Sequence, residues 1–167
     1  MKKIFKYIFA GMAAMSVVAC SEDALETSPS SSVSGNELLG TATNALVSLN
    51  GVYRAMYTAG VSNSSNTHQC FGITAYNLVA DVMGEDCIMN GQGSGWFWYD
   101  CVYNVKSRYT STGWRSYDMW NGYYTWISNV NYILAEEETM SGSETEKNYV
   151  LGQAYAVRAY SYFMLAQ

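Results

Sequence analysis

An all-α fold is what the sequence predicts, and three observations carry that prediction. Apolar residues recur at steps of three and four over long stretches. Helix start and stop signals bound some of these stretches. No strong alternating apolar–polar pattern of the kind a strand needs appears over any length.

The chain opens with Lys2, Lys3 and Lys6 ahead of an apolar run from Ile8 to Ala19. That is the charged region and short apolar core of a secretory signal. The run is too short to span a bilayer, which takes ~20 apolar residues. It ends in Val17-Val18-Ala19-Cys20, which resembles the lipobox of bacterial lipoproteins. The resemblance implies cleavage after residue 19 and a lipid on the Cys20 sulfur. Ser21-Glu22-Asp23 is similar to the export tag of surface lipoproteins. Residues 20–34 are Ser-rich, have little to bury and read as a tether between lipid and folded part.

Residues 35–167 form the folded part. Ser34-Gly35-Asn36-Glu37 matches a capping box, and the spacing of Leu38, Leu39, Ala42, Ala45, Leu46, Leu49, Val52, Tyr53 and Met56 predicts the first helix. Asn63 to Thr67 is a polar loop. A second, shorter helix is predicted over Ile73–Met83, closed by Gly84. Tyr117, Trp120, Tyr124, Ile127, Asn131 and Leu134 mark the inner face of a third, with Glu136, Glu137 and Glu138 at its solvated exit. The fourth runs from about Glu144 to Gln167. Arg158 is its one charge after Asn148, so burial on most sides is expected. It ends without a cap or polar exit, which predicts the N-terminal part of a longer protein.

Charge excludes one class of partner. Once the three signal lysines are gone, six basic side chains face fourteen acidic ones. Such a chain does not hold phosphate backbones by counterion release, so no nucleic acid is expected. Cys70, Cys87 and Cys101 form no CxxC pair and allow at most one disulfide. His68-Gln69-Cys70 lacks a second ligand pair at zinc spacing, and neither a metal nor a cofactor is expected.

Residues 91–100, Gly-Gln-Gly-Ser-Gly-Trp-Phe-Trp-Tyr-Asp, set four consecutive aromatics on a glycine-rich approach. They cannot all face one way on a strand or helix. On an extended loop Trp96 and Trp98 project to one side, with Phe97 turned back toward the helices.

Several segments together resemble the SusD/RagB-type outer-membrane nutrient-binding lipoproteins. Cys20 to Pro29 is similar to their lipoprotein start, and Asn44 to Tyr53 to their first helix. Ala80-Asp-Val-Met-Gly-Glu-Asp86 resembles the segment after their second helix. Trp120 to Leu134 resembles their third. Gly152-Gln-Ala-Tyr-Ala-Val-Arg-Ala-Tyr-Ser-Tyr-Phe163 resembles their Gly-Glu-Ala, Arg-Ala, Tyr-Phe helix, with Gln153 in place of the usual Glu. The resemblance implies tetratricopeptide-like helical pairs with long irregular loops, and Leu151-Gly152-Gln-Ala-Tyr155 fits the Leu-Gly-x-x-Tyr element of that repeat. Gly152, Ala156 and Ala159 are expected to let neighbouring helices approach. Arg158 is expected in a buried structural pair.

The resemblance further implies a lipid-anchored protein on the outer-membrane surface. Such a protein captures a glycan or other nutrient and passes it to a SusC-like TonB-dependent transporter. Sugar rings present a face of C–H groups, and burying that face on an indole contributes on the order of 25 cal/mol per Å². Trp96, Trp98, Tyr99, Asp100 and Arg108 are therefore the candidate ligand-binding residues, with Asn104 and Lys106 as further hydrogen-bonding groups around them. Packing of the four rings onto the helices is the alternative.

Two other classes stand beside the binder. Asp81, Glu85, Asp86, Asp100 and Asp118 could supply a glycosidase pair, which needs two carboxyls ~5–10 Å apart. Nothing in the sequence fixes such a separation, and no nucleophile-and-base constellation is present, so no enzyme is expected. A structural surface lipoprotein without a ligand is the third class.

Overall fold

The computed structural model describes residues 38–58, 69–84, 86–93, 95–102, 110–111 and 113–167. Cys20, the tether, the Ser34–Glu37 capping box, the Asn63–Thr67 loop, His68, Glu85, Asn104, Lys106 and Arg108 lie outside them. The described residues belong to the unit Gly35–Gln167; their named elements are all α-helices, with no strand among them.

Helix α1 spans Ala42–Ala55 and buries Ala42, Ala45, Leu49 and Val52, a single stripe at helical spacing. Its N-cap is Thr41, whose side chain accepts from the Asn44 amide at 3.1 Å. The sequence pattern predicts an earlier start, and the backbone bonding explains the difference. The Gly40 carbonyl accepts from both the amide and the hydroxyl of Ser141, each at 2.9 Å, and the Ala42 amide donates to the Ser141 carbonyl at 2.9 Å. Backbone groups spent across the chain cannot also extend a helix.

Helix α2 spans Ile73–Met83 and is followed by Gly84, as the sequence predicts. The chain reaches it through Gly72, at φ 73°, where a Cβ would sit 2.1 Å from the Met56 carbonyl oxygen. Only glycine fits that approach. It lets the Ile73 amide donate to that same oxygen at 2.7 Å, joining the end of α1 to the start of α2. A four-residue helix, α3, spans Trp98–Cys101.

Helix α4 spans Trp114–Ala135 and α5 spans Glu144–Leu165. Contacts between them run in opposite senses: Glu137 to Tyr155, Asn131 to Arg158, Tyr124 to Tyr162. The pair is therefore an antiparallel hairpin. Helix α1 runs alongside α5 in the same direction, with Thr41 bridged to Ser141 and the Tyr53 hydroxyl donating to Gln153 Oε1 at 3.1 Å. The Gln153 Nε2 meanwhile donates to the Tyr149 carbonyl at 3.0 Å. A glutamate here would lack the second donor, which gives the Gln a physical reason.

Two expectations about helix faces are corrected. On α4 the inward residues are Tyr123, Trp126, Ile127, Val130, Ile133 and Leu134, so Ile127 and Leu134 alone are shared with the predicted stripe. Trp120 and Tyr124 are exposed, and Asn131 faces out to hold Arg158. The α4 register follows from α2: Tyr76 lies 5.5 Å from Tyr123 and 6.2 Å from Trp126, ring to ring, and draws that stripe inward. On α5 the buried residues are Val150, Leu151, Ala154, Val157 and Ser161. Tyr149, Tyr155, Tyr162 and Phe163 are exposed, so the helix is not buried on most sides. Ala154, fully buried, supplies the close approach expected of Gly152, Ala156 and Ala159, which face outward. Arg158 is half-buried, donates to Asn131 Oδ1 at 3.0 Å and lies over the Tyr155 ring, a neutral setting rather than an ion pair.

Candidate functional site

The aromatic loop is built on a sharp turn. Gly93 and Gly95 have positive φ, and Phe97 joins them at φ 55°, in the left-handed region that a side chain rarely adopts. The Gly95 amide donates to the Gln92 carbonyl at 2.8 Å, closing the approach. Phe97 is the N-cap of α3, and its carbonyl accepts from the Asp100 and Cys101 amides at 3.1 Å each. The chain therefore reverses at Phe97, and Trp96 and Trp98 are not alternating residues of an extended loop. Trp98 instead begins a helical turn.

The strained residue is held by its side chain. Phe97 is buried and meets the Phe71 ring edge-on at 6.2 Å. The Arg115 guanidinium lies over the same ring, 4.6 Å from its centre. Arg115 also binds Asp100: its Nε is 2.8 Å from each carboxylate oxygen, and its Nη2 donates to Oδ2. Both side chains are buried, Asp100 at 2 % exposure. Phe97, Asp100 and Arg115 thus form one clamp joining α3 to the first turn of α4.

On this base the predicted residues separate. Trp96, 37 % exposed, lies at the surface, while Trp98 and Tyr99 are half-buried. Phe97 turns inward, as the sequence predicts. Asp100 sits with its carboxylate inside the ion pair, so while that pair holds it positions the loop and is closed to a ligand's hydroxyls. Arg108 lies outside the described residues.

Sequence reasoning missed Arg115. The signal was available: a lone arginine in Gly-Trp-Arg-Ser-Tyr, with an aspartate just past the aromatic run, invites pairing where both must be buried. It also missed a surface group of rings. Trp120, 57 % exposed, packs on Tyr124 with centroids 4.7 Å apart, and Tyr124 meets Tyr162 of α5 at 6.5 Å. The i, i+4 spacing of Trp120 and Tyr124 makes them neighbours on any helix face, not on the inner face alone.

The core also holds a polar group around Tyr76. The Tyr76 hydroxyl donates to the Asp118 carbonyl at 2.8 Å and lies 3.6 Å from the Cys70 sulfur. Burial pushes both the Tyr76 phenol and the Cys70 thiol above their ordinary values, so both stay neutral. Asp118 is fully buried, and Asp81 and Asp86 lie at the exit of α2, where the Asp86 amide donates to the Asp81 carbonyl at 3.1 Å. Among the described residues no group of three or more His, Cys, Asp and Glu side chains is placed to hold a metal ion, and none of the helices is long and apolar enough to cross a membrane.

A SusD-like family model, described as starch-binding and associating with the outer membrane, matches residues 28–167. Neither a curated protein nor a solved structure matches the chain.

Proposed function

The chain belongs to the SusD-like family, described as starch-binding and associating with the outer membrane, and on that premise we propose that it is a lipid-anchored surface protein that binds an α-glucan chain and delivers it to a SusC-like TonB-dependent transporter. Trp96 carries the ligand-facing part of this reading. Trp96 is partly exposed although the next residue is locked into the core, so part of an indole reaches the surface on a fixed base. A pyranose ring laid on that indole buries its C–H face without charge, which suits a protein rich in acidic groups. Trp98 and Tyr99 flank it.

Binding without cleavage is part of the proposal. Of the five carboxylates that a hydrolase reading would draw on, Asp100 is engaged by Arg115 and Asp118 is fully buried. Cys20 holds the protein to the membrane through its lipid.

The test is calorimetric titration of the full chain with maltoheptaose, for the parent and for Trp96→Ala and Trp98→Ala, together with a reducing-sugar assay. Saturable binding weakened about tenfold by Trp96→Ala, with no sugar released, is the expected result. Release of reducing ends would make the protein a hydrolase. No binding to any glucan would leave a structural lipoprotein.

A further inference from the structure

Two breaches of local preference meet at one contact. Phe97 holds φ 55°, a left-handed conformation that a bulky side chain adopts only where its surroundings impose it. Arg115 stands in the first turn of α4, at the positive end of the helix dipole, where a cation is disfavoured. That turn carries no acidic residue to offset it, and its N-cap, Gly113, has no side chain to accept from the first amides. Neither feature serves the element that contains it. The contact between them accounts for both: the guanidinium lies over the Phe97 ring while its Nε and Nη2 hold the Asp100 carboxylate.

Stability alone does not call for this arrangement. Two charges taken out of water regain little more than they lose, and an apolar pair of similar volume joins two helices as well or better. What the buried pair adds is direction. A guanidinium presents its donors in a fixed planar fork and a flat face perpendicular to them. The fork fixes Asp100 in the first turn of α3, and the face fixes the ring of its N-cap, Phe97. An apolar contact would hold the same segment to α4 without choosing one orientation. Trp96 and Trp98 adjoin Phe97 in the chain, so their directions follow from its backbone angles.

We infer that Arg115 is the positioning residue of the Trp96 loop: through Asp100 and Phe97 it selects the one conformation in which Trp96 reaches the surface, and with it the capacity of the loop to bind a glucan. The glucan rests on the proposed function; the selection of one conformation does not. Arg115 is itself buried, so it acts through these two residues and not on the ligand.

The experiment compares the full chain with Asp100→Leu/Arg115→Met, which removes both charges and leaves apolar bulk. Both proteins, with ¹⁵N-labelled indoles, are melted and titrated with maltoheptaose. The Trp96 signal is identified by its loss in Trp96→Phe, and the fully buried Trp126 reports the core. The expected double variant melts within about 5 °C of the parent and keeps the Trp126 signal. Its Trp96 signal is broadened or split, and its glucan affinity falls at least roughly tenfold. A double variant with one sharp Trp96 signal and the parent's affinity overturns the inference and leaves the proposed function standing. If the parent itself binds no glucan, the proposed function falls, and the Trp96 signal alone decides the positioning: split in the double variant it holds, unchanged it falls. Arg115→Lys keeps the charge but neither the fork nor the flat face. It is measured in the same way and decides the matter should the double variant not fold.

Discussion

The Arg115 Nε lies 2.8 Å from both carboxylate oxygens of Asp100, and the same guanidinium covers the Phe97 ring. One side chain therefore neutralises a buried charge and caps a strained turn. Taking one member from such a pair leaves an uncompensated charge in the interior, at a cost of about 3–5 kcal/mol. Asp100→Leu is expected to lose that much stability, and Arg115→Met nearly as much. Asp100→Leu combined with Arg115→Met should lose less than either single change suggests. Denaturant midpoints for the set, read as a double-mutant cycle, decide it. Costs that simply add would mean that the two groups are not coupled and something else holds α3 to α4.

At Phe97 the backbone and the side chain pull in opposite directions. Phe97→Ala removes a buried ring and should cost about 3–5 kcal/mol. Phe97→Gly removes as much packing but accepts φ 55° without strain, and should recover roughly 1 kcal/mol of that loss. Trp96→Ala, one residue earlier and partly exposed, should cost clearly less, about 1 kcal/mol. Thermal unfolding of the three variants is the measurement. A glycine variant less stable than the alanine variant would show that the left-handed turn is not a strain on the native state.

The parts of the fold legible in the sequence were those fixed by near neighbours. Helix α2 has its bounds as predicted because an apolar period and a closing Gly84 are both local. The start of α1 was not legible because the Gly40 carbonyl spends its bonding on Ser141, far along the chain. The inner face of α4 was misread because that helix carries two aromatic stripes, Trp120–Tyr124 and Tyr123–Trp126. Both satisfy the helical period, and Tyr76 of another helix chooses between them. The same gap runs through the site. Phe97 does turn inward, but through a left-handed turn and not through the extended alternation the sequence suggests; that left-handed residue left no mark in the pattern, and Arg115 acquires its role from a partner in a different element.

The start of α5 rests on a reciprocal cap that is also charge-dependent. The Ser143 hydroxyl accepts from the Glu146 amide at 3.3 Å, and the Glu146 carboxylate accepts from the Ser143 amide at 2.9 Å and from its hydroxyl at 2.7 Å. Ser143→Ala should cost about 1 kcal/mol at neutral pH. The Ser143 hydroxyl and amide hold the Glu146 carboxyl below its ordinary value. A carboxylate lowered in the folded state adds stability above its unfolded value and loses it as pH falls through its folded value. The penalty of Ser143→Ala should therefore shrink in acid. Stability curves of parent and variant at neutral pH and well below the carboxylate range test this, and a constant gap would mean that the carboxylate takes no part in the cap.

Gly122 sits in the middle of α4, where a glycine ordinarily weakens a helix by about 1 kcal/mol relative to alanine. Gly122→Ala would therefore be expected to stabilise, were it not for Tyr76. A Cβ at this position would lie 2.5 Å from the Tyr76 hydroxyl oxygen and 3.3 Å from its ring carbon Cζ. The hydroxyl has little room to yield, because it donates to the Asp118 carbonyl at 2.8 Å and the ring is packed between Tyr123 and Trp126. The clash should win, leaving Gly122→Ala less stable by about 1–3 kcal/mol. Tyr76→Phe alone should also cost about 1–3 kcal/mol, since it leaves the buried Asp118 carbonyl without that donor. With the hydroxyl already gone, however, the added methyl meets only the ring edge, which a shift of a few tenths of an ångström relieves. The double variant should then be more stable than the sum of the two single losses, by about 1 kcal/mol or more. Urea unfolding of all four proteins gives the coupling directly. If the losses add, the hydroxyl is not what excludes a side chain at Gly122, and the contact between α2 and α4 is looser than its geometry states.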